Sequence, residues 1–137
     1  MPERQKPVFM LANVNGVCSL SFNSSFGFTL GSILTNYLLE KNDPNVSRLL
    51  NALNQLCANK PLGLDRIDYE EEYNEDEDQP CIFSLVCINC SMFLSFNRTF
   101  ARALNRAVVN GVNSNDQTMY AFKKYLHREI YPETRRR

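Results

Sequence analysis

The sequence predicts an α+β fold built from two pseudo-symmetric ββαα units, each a hairpin plus two helices, packed together. Three observations predict it. The stretch Leu94-Ser95-Phe96-Asn97-Arg98-Thr99-Phe100 repeats Leu20-Ser21-Phe22-Asn23-Ser24-Ser25-Phe26 almost letter for letter, and an offset of 74 also matches Phe9 with Phe83, Leu11 with Leu85, Asn15 with Asn89 and Leu30 with Leu104. Eight or more identities in about twenty positions, against roughly one by chance, mark an internal duplication. Asn15-Gly16 between two apolar segments is a strong hairpin signal, because both residues tolerate the positive φ of a type I′ turn. Apolar residues at three- and four-residue spacing follow each hairpin and mark helices.

In order, residues 7–13 and 17–22 are the strands of the first hairpin. The second strand alternates Cys18, Leu20 and Phe22 against Val17, Ser19 and Ser21, so it packs from one side. Asn23 stands at a helix N-cap. Phe26, Leu30, Ile33, Leu34, Tyr37 and Leu38 carry the first helix to about Lys41, interrupted by Gly27 and Gly31, each costing roughly 1 kcal/mol against Ala. Asp43-Pro44 opens a second helix through Val46, Leu49, Leu53 and Cys57, which stops near Pro61 and Gly63. Residues 1–64 form the first unit.

Residues 65–80 hold nine of the fifteen acidic side chains and read as an extended, solvated acidic linker, since like charges at this density repel. The second unit, residues 81–137, opens with an apolar strand from Cys81 to Ile88, turns at Asn89-Cys90 and returns along Met92 to Phe96. Asn97 caps a helix whose apolar face is Phe100, Ala103, Leu104, Ala107 and Val108, stopping at Asn110-Gly111. A last helix carries Met119, Phe122, Leu126 and Ile130, and the chain ends in a basic tail. A unit of this size is marginal alone, so the expected architecture is a four-stranded sheet covered by four helices.

Fifteen charges of each sign and 44% hydrophobic residues describe a globular chain whose net charge names no partner. The opening residues lack the apolar stretch of a signal peptide, and no apolar run is long enough to span a bilayer. An odd number of cysteines, five, does not suggest a secreted disulfide framework, so the expected location is intracellular.

Two constellations carry chemistry. Cys87-Ile88-Asn89-Cys90 has metal-ligand spacing, and a tight turn lets both thiolates reach one tetrahedral zinc. The further ligands would come from His127, Cys57 or Cys18. Cys81, six residues up the same strand and so roughly 20 Å away, cannot join. The competing reading is small thiols buried in an apolar strand. Arg98, Arg102 and Arg106 recur every four residues and form a stripe opposite Phe100 and Leu104. With Lys123, Lys124, Arg128 and the terminal arginines they give residues 91–137 nine bases against three acids, a surface suited to carboxylate or phosphate. One histidine, no phosphate loop and no nucleophile elbow leave nothing that reads as an enzyme. No small-molecule substrate or membrane is implied as partner.

Sixteen asparagines in a small, glycine-poor chain with one CxxC resemble the proteins of large, AT-rich DNA viruses. Among them the chain is similar to the small cysteine-containing nucleocapsid-assembly proteins of baculoviruses, which carry a RING- or U-box-like metal region. The resemblance rests on size, composition and Cys87 and Cys90 with Cys57, Cys81 and His127. The spacing departs from a RING, which needs eight ligands. The resemblance implies a non-catalytic structural role in the host nucleus and in the virion, among other proteins of a multi-subunit assembly. The alternative is a zinc-binding adaptor, RING/U-box-like or nucleic-acid-binding, using Cys87 and Cys90.

Overall fold

The computed structural model describes residues 6–59, 64–70, 80–88, 91–111 and 116–130, without the side chains of residues 57–59, 64, 65 and 110. The fold is α+β, with a five-stranded antiparallel sheet and four helices among the described residues. The elements are β1 (Phe9–Val14), β2 (Val17–Phe22), α1 (Ser24–Leu38), α2 (Pro44–Asn59), β3 (Leu64–Glu70), β4 (Ile82–Ile88), β5 (Ser91–Phe96), α3 (Arg98–Gly111) and α4 (Gln117–Ile130). The strands lie in the order β1-β2-β5-β4-β3.

Both hairpins have one register. Phe9 faces Phe22 across β1 and β2, and Phe83 faces Phe96 across β4 and β5. Asn15 and Gly16 turn the first with φ of 54° and 83°, as the type I′ signal requires. The turn at Asn89-Cys90 lies outside the described residues. At the centre β2 runs antiparallel to β5 with Leu20 opposite Leu94, flanked by Cys18 opposite Phe96 and Phe22 opposite Met92.

Each hairpin is tied to its helix by an asparagine. Asn23 donates its backbone N–H to Val8 O, its Oδ1 accepts from Val8 N and Phe26 N, and its Nδ2 donates to Lys6 O. Asn97 does the same with Ile82, Phe100 and Pro80. Asp43 and Asp116 cap α2 and α4 through Val46 N and Met119 N. In each case the side-chain oxygen satisfies N–H groups that the first helical turn leaves bare.

The helices cover one sheet face. Phe22, Leu20, Phe83, Leu85, Leu94 and Phe96 point into a single core with Phe26, Leu30, Phe100, Leu104, Leu49 and Phe122. α1 and α3 lie against each other over the middle strands, α2 packs on β3 and β4, and α4 packs on β1. The second helix after each hairpin thus covers the other hairpin.

The acidic linker expected over residues 65–80 gives way at its start to β3, so the sheet has five strands and not four. Ile67 and Tyr69 alternate with Arg66, Asp68 and Glu70, and that period puts the apolar pair under α2 while the charges stay in water. Tyr69 stacks on Phe83 at 5.3 Å and donates its hydroxyl to Asn45 Oδ1 at 2.8 Å. Ser84 Oγ donates to Asp68 Oδ1 at 2.6 Å, and Arg66 Nε lies 2.8 Å from the same oxygen, which holds the exposed Asp68 carboxyl below the usual range. Residues 71–79 lie outside the described residues.

Candidate functional site

Arg98, Arg102 and Arg106 are all exposed on α3, because the buried Phe100, Leu104 and Ala107 hold the opposite side of that helix in the core. Arg106 is not committed outward. Its Nη2 lies 4.0 Å from Asp43 Oδ2, which also accepts from the Tyr37 hydroxyl at 3.2 Å. Burial and then the Asp43 carboxylate push the Tyr37 hydroxyl up. Arg106 therefore closes the corner between α1 and α2, and Arg98 and Arg102 form the outward part of the stripe.

On α4 the cations gather around tyrosines. Lys123 and Lys124 place Nζ 5.8 and 5.7 Å from the Tyr120 ring centre, and the Arg128 guanidinium sits 5.6 Å over Tyr125, at distances where a cation is drawn to a ring face. These residues meet α3 in a groove of about 320 Å³ lined by Asn105, Val109, Tyr120, Lys123, Lys124, His127 and Arg128. Asn105 Oδ1 is buried without a hydrogen-bond partner among the described residues. The sequence pointed to Lys123, Lys124 and Arg128 as basic residues. It gave no sign of Asn105, Val109 and Tyr120, whose convergence depends on how α3 and α4 cross. Such a groove can hold carboxylates or phosphates by charge.

Of the proposed metal ligands, Cys87 and His127 lie among the described residues. Cys87 is buried in β4, whereas His127 is exposed on α4, which packs over β1. Three strand spacings separate β1 from β4, roughly 14 Å, and His127 looks away from the core. His127 and Cys87 thus stand on different elements, one exposed and one buried. The Cys57 side chain and Cys90 lie outside the described residues. Among the described residues no group of three His, Cys, Asp or Glu is placed to hold a metal ion. Cys18, Cys81 and Cys87 are buried cysteines. Burial and then Glu129 push the Cys18 thiol up to about 11, against the opposing pull of Asn13 and Arg98, so it stays protonated and a poor nucleophile at neutral pH.

No helix of the described residues is long and apolar enough to cross a membrane. Comparison of the chain with protein-family models, with curated proteins and with solved structures finds no match.

Proposed function

We propose that this chain is a non-enzymatic interaction protein of a larger assembly, holding an acidic protein surface against the exposed faces of α3 and α4. The observation that carries the reading is the groove in which Lys123, Lys124 and Arg128 converge with Asn105 and Tyr120. Arg98 and Arg102 extend the positive surface along α3. Arginine forks match carboxylates in pairs, and the tyrosines add flat apolar area between the charges. Following the resemblance to baculovirus nucleocapsid-assembly proteins, the assembly is a viral nucleocapsid, and the site of action is the host nucleus and the virion.

We also infer that the fold arose as two ββαα units. The shared hairpin register, the matching hydrogen bonds of Asn23 and Asn97, and the meeting of Leu20 with its counterpart Leu94 support a local two-fold axis between β2 and β5. The cations of α3 belong to one unit only, since Ser24, Phe28 and Ser32 hold the matching places in α1.

The test is association with immobilised polyglutamate, measured beside a 20-base-pair DNA duplex. Reversing four exposed cations together, Arg98→Glu, Arg102→Glu, Lys124→Glu and Arg128→Glu, is expected to weaken polyglutamate binding at least tenfold, at up to about 1 kcal/mol per exposed charge. The circular dichroism spectrum stays that of the parent. Unchanged binding would remove the basic face from the reading, and preference for the duplex with a steep salt dependence would turn it toward nucleic acid. The zinc-adaptor alternative is decided separately. It requires about one zinc per chain on elemental analysis and loss of stability in chelator.

A further inference from the structure

β1 and β4 hold matching places in their hairpins, yet their outer edges differ. In an antiparallel ladder each residue turns its N–H and C=O to the same neighbour, and successive residues alternate. Val8 exchanges its backbone groups with Asn23. Val8, Met10, Ala12 and Val14 therefore face β2, and Phe9, Leu11 and Asn13 turn their backbone groups outward. In β4 the matching Phe83, Leu85 and Cys87 meet Tyr69, Ile67 and Asp65 of β3. Among the described residues β1 ends the sheet.

We propose that the outer edge of β1 is a docking site for an extended segment of a partner protein, which adds to the sheet as an antiparallel strand. The edge itself invites pairing. The sequence of β1, Phe9-Met10-Leu11-Ala12-Asn13-Val14, carries no charge, whereas the opposite edge is guarded by Arg66, Asp68 and Glu70; charged side chains are what keeps an edge from pairing with other chains. On the helix-free face, Val8, Met10 and Val14 are 59%, 70% and 62% exposed. An apolar groove of about 320 Å³ runs from Val8 and Met10 to Phe93. A strand laid beside β1 covers this apolar row.

The overlying helix selects what can enter. α2 packs on β3 as well as β4, and α4 packs on β1, so a strand added beside β1 lies next to α4. A second copy docking edge to edge would bring its own α4 over the same space. Helices are about 10 Å across and strands about 4.8 Å apart, so two helices do not fit where one bare segment does. The rings narrow the choice further. Tyr125 lies 6.1 Å from Phe9, filling the role that Tyr69 plays on Phe83 at 5.3 Å. The segment thus carries a small residue opposite Phe9, an aliphatic one opposite Leu11 and apolar residues beside Met10 and Ala12. A flanking carboxylate suits Arg128, which stacks on Tyr125.

The probe is the heptapeptide Glu-Thr-Val-Ile-Val-Ala-Glu, titrated to millimolar concentration into the full-length protein labelled with nitrogen-15. The amides of Phe9, Leu11 and Asn13 are expected to shift and to exchange with solvent at least about tenfold more slowly when most of the protein is bound, since tenfold protection needs only about 1.4 kcal/mol. Met10→Asp, at an exposed site, is expected to abolish the shifts and leave the rest of the spectrum in place. Leu11→Pro, which deletes an N–H that the β1–β2 ladder does not use, should do the same. Amides of β1 that do not move, or shifts confined to the groove between α3 and α4, would overturn the proposal. So would concentration-dependent protection of β1 without peptide, which would make a second copy the occupant. This edge shares only Arg128 with the basic face, so either reading can fail alone.

Discussion

Asn23 and Asn97 each bind the start of one strand, the end of the next and the first turn of a helix. Asn23 does so with Lys6, Val8, Phe26 and Gly27, and Asn97 with Pro80, Ile82, Phe100 and Ala101. Replacing either by Ala removes a cap worth about 1 kcal/mol and leaves the Val8 or Ile82 N–H without its side-chain acceptor, at about 1 kcal/mol more. Asn23→Ala and Asn97→Ala are therefore expected to lower stability by about 2 kcal/mol each, nearly equally, in denaturant unfolding. A loss at one position only would show that the two joints are not equivalent. Both asparagines were legible in the sequence as caps, because each stands before a helical period and recurs at the same offset. Their grip on the preceding strand was not, because it depends on Val8 and Ile82 lying alongside. Arg106 shows the opposite limit. Its spacing put it in the outward stripe, and only the fold reveals Asp43 beside it.

At the scale of elements, Gly31 in the middle of α1 behaves differently from Gly111 at the end of α3. A Cβ on Gly31 would meet Leu50 at an ordinary 3.9 Å, whereas one on Gly111 would come within 2.7 Å of Ile33 Cγ2. Gly31→Ala is expected to raise stability by about 0.5–1 kcal/mol through helix propensity and a stiffer unfolded chain. Gly111→Ala lowers it by about 1–3 kcal/mol, as overpacking does. Thermal unfolding of the pair checks both signs, and stabilisation by Gly111→Ala would contradict the close approach of α3 to α1. The helices and hairpins were readable from period, turn and cap. β3 was not, because nine acids in one run outweighed a single short alternation of Ile67 and Tyr69. What makes that segment a strand is a place beside β4 and a lid from α2, neither of which is a local property of its residues.

At the scale of the molecule, the exchange of second helices is what the sequence concealed. A duplicated pattern says that two units exist, but not that α2 settles over β4 and β3 while α4 settles over β1. Each half leaves its own hairpin for its second helix to find elsewhere, so neither half encloses a finished core. Residues 1–63 and 64–137 expressed separately are expected to show no cooperative unfolding, and mixing them restores it together with the parent's near-ultraviolet dichroism. A cooperative transition in either piece alone would mean that the halves are self-sufficient. The same exchange shapes how the chain is made. While the ribosome is still adding residues, β2 waits with the side of Leu20 unmatched, since Leu94 lies far down the chain. Contacts that bridge so much sequence form late and slowly, and a nascent chain with bare strand edges is prone to pair with a neighbour. Newly synthesised copies on one polysome thus risk trading halves with each other before each closes on itself.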